Sequence, residues 1–480
     1  MLLFLCFFIL VAILRTTTAK RVEFDLTISQ SQLDPDCAGT AYPALLINNQ
    51  FPGPTLRVSQ DDEVEIRIHN QAPVPTSVHF HGIRQYGTVE SDGVPGVTQD
   101  AIQPGTTYVQ RFKLVDQSGT FYYHAHVGVQ DDTVQGALIV ENSPRMTELA
   151  SEFEPSFFNA YGDDPRGYPY KDGPYGYHGE LLLHLSEWWH RADREAFYLG
   201  PEYTHDPNAD SVLLNGRTIH QDATEECGGH EVLDVLPNRT YRLRVIGGNT
   251  FRTYGLAIKD HPMTIIEVDG ELIYPYTTTH LEVTPGQRFS VLIHTDQVLS
   301  PDSLFTIATS YRHRNRGSGD ESYSPLRVGF PEIPEVVPRD WIWPELRPLH
   351  GAHPEFRLFE PADRTLKIRT WTAILPDGST RYLINGKLTS KHSNAHNDDD
   401  DDDDEEEEDC TLSRALTTTT KHAPTEPDGF EPTLGTYPIA LNETVDLVLQ
   451  NAHAGRNCLL HPWHTHGHSH YVIASGDGEM

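Results

Sequence analysis

Residues Glu63–Ile68 read EVEIRI, so charged and apolar side chains alternate strictly along this stretch. Tyr241–Val245 alternates in the same way, and the apolar residues Val445, Leu447 and Leu449 recur at every second position in a third stretch. Alternation with a period of two is typical of a β-strand with one buried face. Pro and Gly are frequent between such stretches, and helical periodicity is scarce. The sequence therefore predicts an all-β fold built from sandwiches or barrels.

Each alternating strand belongs to a longer unit that occurs three times. The unit begins with a short motif that reads LINN, LLNG and LING at Leu46–Asn49, Leu213–Gly216 and Leu383–Gly386, spaced 167 and 170 residues apart. A repeat of this size predicts three tandem domains of one fold. The expected domains span residues 20–145, 175–330 and 360–480. The third domain begins at the position that the repeat spacing predicts, but it is expected to be incomplete, without its last strands.

The first residues of the chain predict that the protein is secreted. Leu2–Leu14 is almost entirely apolar and is followed by small residues, which is typical of a secretory signal over residues 1–19. The apolar run is too short to span a bilayer, so we expect a secreted, extracellular protein without a membrane partner once the signal is removed, a retained anchor being the alternative. Sequons predict glycosylation at Asn238 and Asn442.

The chain is strongly acidic, with a net charge of −33, which makes nucleic acid and anionic membranes poor partners. Part of this charge comes from the unbroken acidic run at residues 398–409. Such a run repels itself and cannot bury surface, so we expect a disordered acidic insert over residues 392–410. A weak cation site is the alternative for this run.

Paired histidines occur near both ends of the chain. HFHG at His79–Gly82 is followed by YHAH at Tyr123–His126, and HTHG stands at His464–Gly467. In a strand, residues i and i+2 point to the same face, so each pair presents two imidazoles side by side. Imidazole favours copper and zinc over magnesium or calcium. One such pair is usually structural, but its recurrence at equivalent positions predicts a metal cluster shared by two domains.

Other metal motifs are missing from the sequence, and the middle repeat differs from its neighbours. Where the outer repeats carry paired histidines, the second repeat reads LAI at Leu256–Ile258, so we expect a metal-free middle domain. The sequence contains neither His-Glu-x-x-His nor Cys-x-x-Cys, which gives little support to a zinc protease or a zinc finger.

These motifs resemble three of the four copper signatures of the multicopper oxidases. The third signature is HPWHTHGH at His461–His468, and supporting motifs are FPGP at Phe51–Pro54, DGVP at Asp92–Pro95, SEWWH at Ser186–His190 and HPMT at His261–Thr264. The resemblance implies three cupredoxin-like domains. It also implies an oxidoreductase that takes single electrons from a substrate at one copper and reduces O2 to water at a cluster of three.

The resemblance also assigns the ligands. The type 2 copper would be bound by His79 and His464, the type 3 pair by His81, His124, His126 and His466, and the type 1 copper in part by His461. The fourth signature, His-Cys-His, does not occur in the 480 residues. A blue type 1 site needs a Cys thiolate with two imidazoles, so a complete enzyme would hold four coppers and this chain fewer.

The cysteines add an expectation and an open question. The resemblance to ascorbate oxidases implies a disulfide between Cys37 and Cys227. The pairing of Cys410 and Cys458 stays open, and Cys458, which lacks flanking histidines, is expected to be an ordinary or bridging thiol rather than a copper ligand.

Two further motifs bear on the substrate. HPW at His461–Trp463 and GDG at Gly476–Gly478 look more like ascorbate oxidases than laccases. Glu187 is a possible substrate-side acid, since it stands where ferroxidases carry an iron-binding carboxylate. The alternative is that this stretch only packs Trp188 and Trp189 at a domain interface.

We therefore expect a secreted copper oxidase that couples one-electron oxidation of a small reductant, ascorbate-like or phenolic, to the reduction of O2 to water. The alternatives are a ferroxidase, with a metal ion as reductant, and a non-catalytic copper-binding remnant. The chain is expected to be a non-catalytic remnant if Met480 is the true C-terminus. If the sequence is instead a fragment or a gene-model artefact, the oxidase is expected. A purely structural β-sandwich explains neither the paired histidines nor their recurrence, and the sequence does not predict the oligomeric state.

Overall fold

The computed structural model describes residues 20–142, 168, 170–199, 209–220, 229–295, 304–311, 342, 345–349, 361–374, 380–385, 428–431, 435–451 and 462–476. These residues form β-strands and connecting turns, with one short α-helix and two 3-10 helices of three residues each, so the predicted all-β class is confirmed. No helix within these ranges is long and apolar enough to cross a membrane. The signal at residues 1–19, the acidic run and the cysteines at 227, 410 and 458 lie outside the described residues.

The first sandwich consists of two four-stranded sheets. Its strands are β1 (Arg21–Leu33), β2 (Tyr42–Ile47), β3 (Gly53–Ser59), β4 (Glu63–Asn70), β5 (His79–His81), β6 (Thr107–Lys113), β7 (Gly119–His124) and β8 (Gln135–Glu141). One sheet has the order β2-β1-β4-β6 and the other β3-β8-β7-β5. The apolar residues of β4 (Val64, Ile66 and Ile68) are buried in a core to which both sheets contribute, as their alternation predicts.

The second sandwich pairs a six-stranded sheet with a three-stranded one. Its strands are β9 (Tyr170–Asp172), β10 (Tyr175–Tyr177), β11 (Gly179–Trp188), β12 (Ser211–Leu214), β13 (Thr240–Gly248), β14 (Tyr254–Ile258), β15 (Met263–Val268), β16 (Glu271–Thr278), β17 (Leu281–Val283), β18 (Arg288–His294) and β19 (Ile307–Tyr311), with the helix α1 (Arg194–Leu199) after β11. The sheets have the orders β12-β11-β13-β18-β15-β16 and β17-β14-β19, while β9 and β10 form a separate hairpin.

The third repeat is described as one sheet. It contains β20 (Arg364–Ile374), β21 (Thr380–Ile384) and β22 (Val445–Asn451) in the order β21-β20-β22. The alternation in β22 predicts one buried face, yet Leu447 and Leu449 are each 42% exposed to solvent. Among the described residues, therefore, no second layer covers this face of β22.

The three repeats share one local structure, and the asparagine of each repeated motif explains it. Asn48, Asn215 and Asn385 all adopt a positive φ, and each side chain hydrogen-bonds backbone groups of the adjacent strand. In each repeat the first strand runs antiparallel to the strand that ends in this motif. It runs parallel to the later alternating strand, as seen for β1–β4, β11–β13 and β20–β22. The motif therefore marks a strand end that all three units use.

The two sandwiches meet through a buried polar contact at β7. The backbone N–H of Thr120 donates to Glu267 Oε1 (2.7 Å), and its hydroxyl accepts from Arg244 Nη1 (2.8 Å). Arg288 Nε donates to the carbonyl of Thr120 (3.2 Å). This contact fixes β7, the strand that ends at His124, against the second sandwich.

Candidate metal centre

The histidines of the first sandwich lie on two neighbouring strands. β5 and β7 pair antiparallel, with His79 opposite His124 and His81 opposite Tyr122. Phe80 points the other way and packs its ring 5.0 Å from that of Phe112 inside the core. The two histidines of β5 therefore share the face away from the core, as the period of a strand predicts.

The C-terminal segment 462–476 supplies two more histidines to this face. The ring of His464 stacks on that of His81, with centroids 3.7 Å apart, and the ring of His466 stacks on that of His79 at 3.9 Å. The ring of His126 lies 5.3 Å from that of His466. The structure thus gathers six of the seven predicted ligands, while His461 lies outside the described residues. We call these six the six-histidine centre: His79, His81, His124, His126, His464 and His466.

Hydrogen bonds fix the protonation of the imidazoles. The Nδ1 of His79 lies 2.7 Å from the backbone carbonyl oxygen of Asp92, and the Nδ1 of His124 lies 2.8 Å from that of Ala125. A carbonyl oxygen only accepts, so each Nδ1 carries the proton and each Nε2 keeps its lone pair. Among the described residues, Nε2 of His79 is buried without a hydrogen-bond partner. It therefore offers a lone pair to a metal ion.

Asp92 joins the two halves of the centre. Its carboxylate accepts from Nδ1 of His466 at 2.7 Å and lies 3.3 Å from Nδ1 of His79. The carboxyl is almost fully buried, which opposes its charge, but the hydrogen bond from His466 and the nearby Nδ1–H of His79 hold the pKa of Asp92 below its ordinary value. Metal-bound histidines commonly donate their second N–H to such a carboxylate. In the sequence Asp92 belongs to the motif DGVP, which by itself predicts no contact with the histidines.

The ring nitrogens are close enough to share ions. Nδ1 of His81 and Nε2 of His124 are 3.3 Å apart, and nitrogens bound to one ion at about 2.0–2.1 Å are separated by about 3 Å. His79, His81 and His124 each offer one ligand atom within a 4.8 Å group, and so do His79, His464 and His466. His79 and His464 can therefore reach one ion, although the stacked rings pair His79 with His466.

Burial keeps these imidazoles neutral. It lowers the pKa of His79, and it lowers that of His81 and His124 further, with the Arg288 cation adding to the effect at His81. A neutral imidazole is the form that binds a metal ion. His79, His81 and His124 are therefore neutral nitrogen donors, and an imidazole donor set fits copper.

Two glycines let backbone approach the histidines closely. Gly286, in the turn before β18, has a φ of +78°, and a Cβ there would lie 2.6 Å from Cε1 of His81. Gly93 has a φ of +85°, and its Cβ would lie 1.9 Å from the carbonyl oxygen of Val78, next to His79. Neither position tolerates a side chain without displacing the residues that hold the centre.

Glu187 does not face a substrate, so that prediction is wrong. Its side chain is completely buried in the second sandwich, where it accepts hydrogen bonds from the backbone N–H groups of Thr250 (3.0 Å) and Phe251 (2.9 Å) and from the Tyr254 hydroxyl (2.7 Å). Burial raises the pKa of this carboxyl. Trp188 is buried beside it, which agrees with the packing alternative.

Other predicted positions have simpler outcomes. Cys37 is bonded in a disulfide, while its expected partner Cys227 lies outside the described residues. Asn238 and Asn442 are exposed in turns, and their glycosylation stays a prediction. In the middle repeat, Leu256 of β14 is buried in the core of the second sandwich instead of lining a metal site.

Stacked β-sandwiches with histidines gathered between distant segments define a copper protein of the cupredoxin type. Models of the multicopper oxidase family match residues 27–145, 179–324 and 406–480. These matches cover well over half of the chain, which therefore belongs to the multicopper oxidase family. Copper is the cofactor of this family, whose members are oxidoreductases that use O2.

Curated relatives and solved structures agree with this assignment. The chain is 28% identical to an L-ascorbate oxidase of Nicotiana tabacum over 99% of the chain and 84% of the relative. It is 30% identical to Laccase-15 of Oryza sativa subsp. japonica over 59% of the chain and 44% of the relative. Fet3p, a multicopper oxidase that functions in iron import, shares the fold with a TM-score of 0.59 and 24% identity, over 76% of the chain and 64% of that structure. A laccase from Botrytis aclada has a TM-score of 0.56 and 24% identity, with 77% and 64% covered.

Proposed function

We propose that this protein is a secreted copper oxidase that couples one-electron oxidation of a small reductant to the reduction of O2 to water. The observation that carries the proposal is the convergence of six histidines from segments more than 300 residues apart in the sequence. Bound copper would accept single electrons and deliver them to O2. The contribution of the chain is to hold the imidazoles neutral and in fixed orientations.

We assign the ligands by position. The type 2 copper would be held by His79 and His464, the type 3 pair by His81, His124, His126 and His466, and the type 1 copper in part by His461. The Nδ1–H of His79 donates to the backbone carbonyl of Asp92 and that of His124 to the backbone carbonyl of Ala125, so their Nε2 atoms are left for the metal. His466 is oriented by the Asp92 carboxylate.

An ascorbate-like reductant is the substrate class we favour. The match to the tobacco L-ascorbate oxidase extends over 99% of the chain, whereas the match to the rice laccase covers 59%. The ferroxidase alternative rested on Glu187, whose carboxylate is buried and occupied by three hydrogen bonds. That residue therefore cannot receive an iron ion from solvent, which leaves a phenolic reductant as the nearer alternative.

A second candidate function is copper binding without turnover. The 480 residues contain no His-Cys-His, and this motif supplies the thiolate of a blue site. The six-histidine centre does not depend on that thiolate, so a protein of these 480 residues would still bind copper.

The test is the copper content, the visible spectrum and the O2 uptake of the secreted protein, with ascorbate, a phenol and Fe²⁺ as reductants. O2 uptake that is fastest with ascorbate supports the oxidase, and an intense blue band beside it would show that a Cys thiolate outside the 480 residues completes the type 1 site. Copper without a blue band or O2 uptake supports the second candidate. A folded protein that binds no copper contradicts both.

A further inference from the structure

A second group of metal-ligating side chains lies where the first sandwich meets the second, outside the six-histidine centre. Asp36 stands in the loop after β1, His190 is the second residue after β11, and His220 lies beyond β12. Each residue offers one ligand atom, and these three atoms all lie within 4.8 Å of one another. We call this group the junction cluster.

The Asp36 carboxylate is the most buried member of the junction cluster. It is 0% exposed, and its Oδ2 accepts from His190 Nε2 at 2.8 Å and from the Ser211 hydroxyl. Its other oxygen, Oδ1, has no hydrogen-bond partner among the described residues. A buried carboxylate with an unpaired oxygen is unfavourable unless a cation offsets its charge.

The backbone holds the junction cluster in place before any ion binds. The N–H of His220 donates to the carbonyl of Asp36 at 2.7 Å, and the N–H of Thr218 donates to that of Pro35 at 3.1 Å. The ring of Tyr42 stacks on that of His190, with centroids 5.5 Å apart and planes within 6°. The carboxylate and the two imidazoles therefore need little rearrangement to bind an ion.

The donor set selects the kind of metal. Neighbouring Cys37 is in a disulfide and offers no thiolate, so the donors are one carboxylate and two imidazoles. Imidazole disfavours calcium and magnesium, whereas zinc accepts three such protein ligands and takes water in the fourth position. Oxygen and nitrogen atoms on one zinc ion at about 2.0–2.1 Å are about 3.3 Å apart. Asp36 Oδ2 and His190 Nε2 are 2.8 Å apart in their hydrogen bond, so zinc would take the place of the shared proton, which leaves to solvent, and the two atoms would move apart by about 0.5 Å.

We propose that Asp36, His190 and His220 bind one divalent ion of the zinc type. The side chain of His190 is 17% exposed, so a water molecule can complete the coordination. The ion ties the loop after β1 to the strands β11 and β12, beside the disulfide of Cys37. It therefore fastens the first sandwich to the second.

The test measures zinc bound by the copper-loaded protein after dialysis against a zinc buffer, by mass spectrometry of the metals. The wild type should retain about one zinc ion per chain more than His220→Gln or Asp36→Asn, since three protein ligands are needed. Zinc should also raise the Tm of the wild type and not that of the two variants, because a ligand that binds only the native state stabilises it.

A matched control is available in the first sandwich. Asp25 and His69 form a pair of the same kind, 3.1 Å apart, so His69→Gln should keep the zinc content of the wild type. Equal zinc in the wild type and both junction variants overturns the proposal, and so does an equal loss in His69→Gln. If Asp36→Asn fails to fold, His220→Gln decides, because His220 is only half-buried.

Discussion

Asp92 is the single residue that bridges the two halves of the six-histidine centre. Its carboxylate contacts both His79 and His466, which stand almost at opposite ends of the chain. The motif around Asp92 was visible in the sequence, but its role was not. A hydrogen bond between residues 374 positions apart leaves no periodic pattern that sequence reasoning can read.

Replacing this carboxylate should weaken copper binding. Asp92→Asn removes the charge and one acceptor, so the imidazoles lose their fixed orientation, and copper affinity should fall about 10- to 100-fold. Competition titration with a copper chelator measures this change. Asp100→Asn, at an exposed position of the same loop, is the control and should bind copper like the wild type. Unchanged affinity in Asp92→Asn would show that the carboxylate does not orient the ligands.

Two glycines in equivalent Pro-Gly turns allow the effect of backbone strain to be distinguished from the effect of contact with the six-histidine centre. Gly105 and Gly286 have φ values of +76° and +78°, but a Cβ at Gly105 meets nothing within 4 Å, whereas one at Gly286 meets His81. Alanine at either position should cost about 1 kcal/mol or more of unfolding free energy. Only Gly286→Ala should also lose copper, as metal analysis would reveal. Equal copper in both variants would contradict the contact with His81.

The strands can be predicted from the alternating pattern and the repeat, because a strand with one buried face has apolar residues at every second position. β4 and β13 were predicted from this pattern and are strands. The burial of Glu187 was not predicted, because it depends on backbone N–H groups contributed by residues 250 and 251, more than 60 positions away. The junction cluster likewise cannot be predicted from the sequence, because its three residues are far apart along the chain.

A buried ion-pair network should stabilise the six-stranded sheet. Arg242 of β13 is 1% exposed at its side chain and contacts Asp172 and Glu267, both nearly as buried. Arg242→Ala would leave two carboxylates unpaired in the interior and should cost about 3–5 kcal/mol. Urea unfolding measures the loss. Arg217→Ala, whose side chain is 52% exposed and pairs with Glu231, should cost about 1 kcal/mol or less. Similar costs for both variants would contradict this account.

The contact between the sandwiches should respond to acid through Glu180. Burial disfavours its charge, but the Arg244 cation beside it holds the pKa of Glu180 at about 2, below its ordinary value of 4.5. A lowered native pKa means that the pair contributes stability above about pH 4.5 and loses it as the pH falls toward 2. Glu180→Gln should therefore flatten the fall in Tm over this range. An unchanged slope would show that Glu180 does not contribute to it.

At the scale of the whole molecule, copper should fasten the C-terminal segment to the first sandwich. Segment 462–476 reaches the first sandwich through His464 and His466, which stack on His81 and His79. Removal of copper by a chelator should lower the Tm and speed proteolysis within this segment, since metal binding stabilises the native state. Limited proteolysis with and without chelator measures the effect. A cleavage rate independent of copper would contradict the fastening.

The central claim is that copper occupies the six-histidine centre. The most direct measurement is anomalous diffraction at the copper edge from crystals of the copper-loaded protein. The account predicts peaks at about 2 Å from ring nitrogens of His79, His81, His124 and His464. Anomalous peaks elsewhere in the copper-loaded protein, with none between these imidazoles, would contradict it.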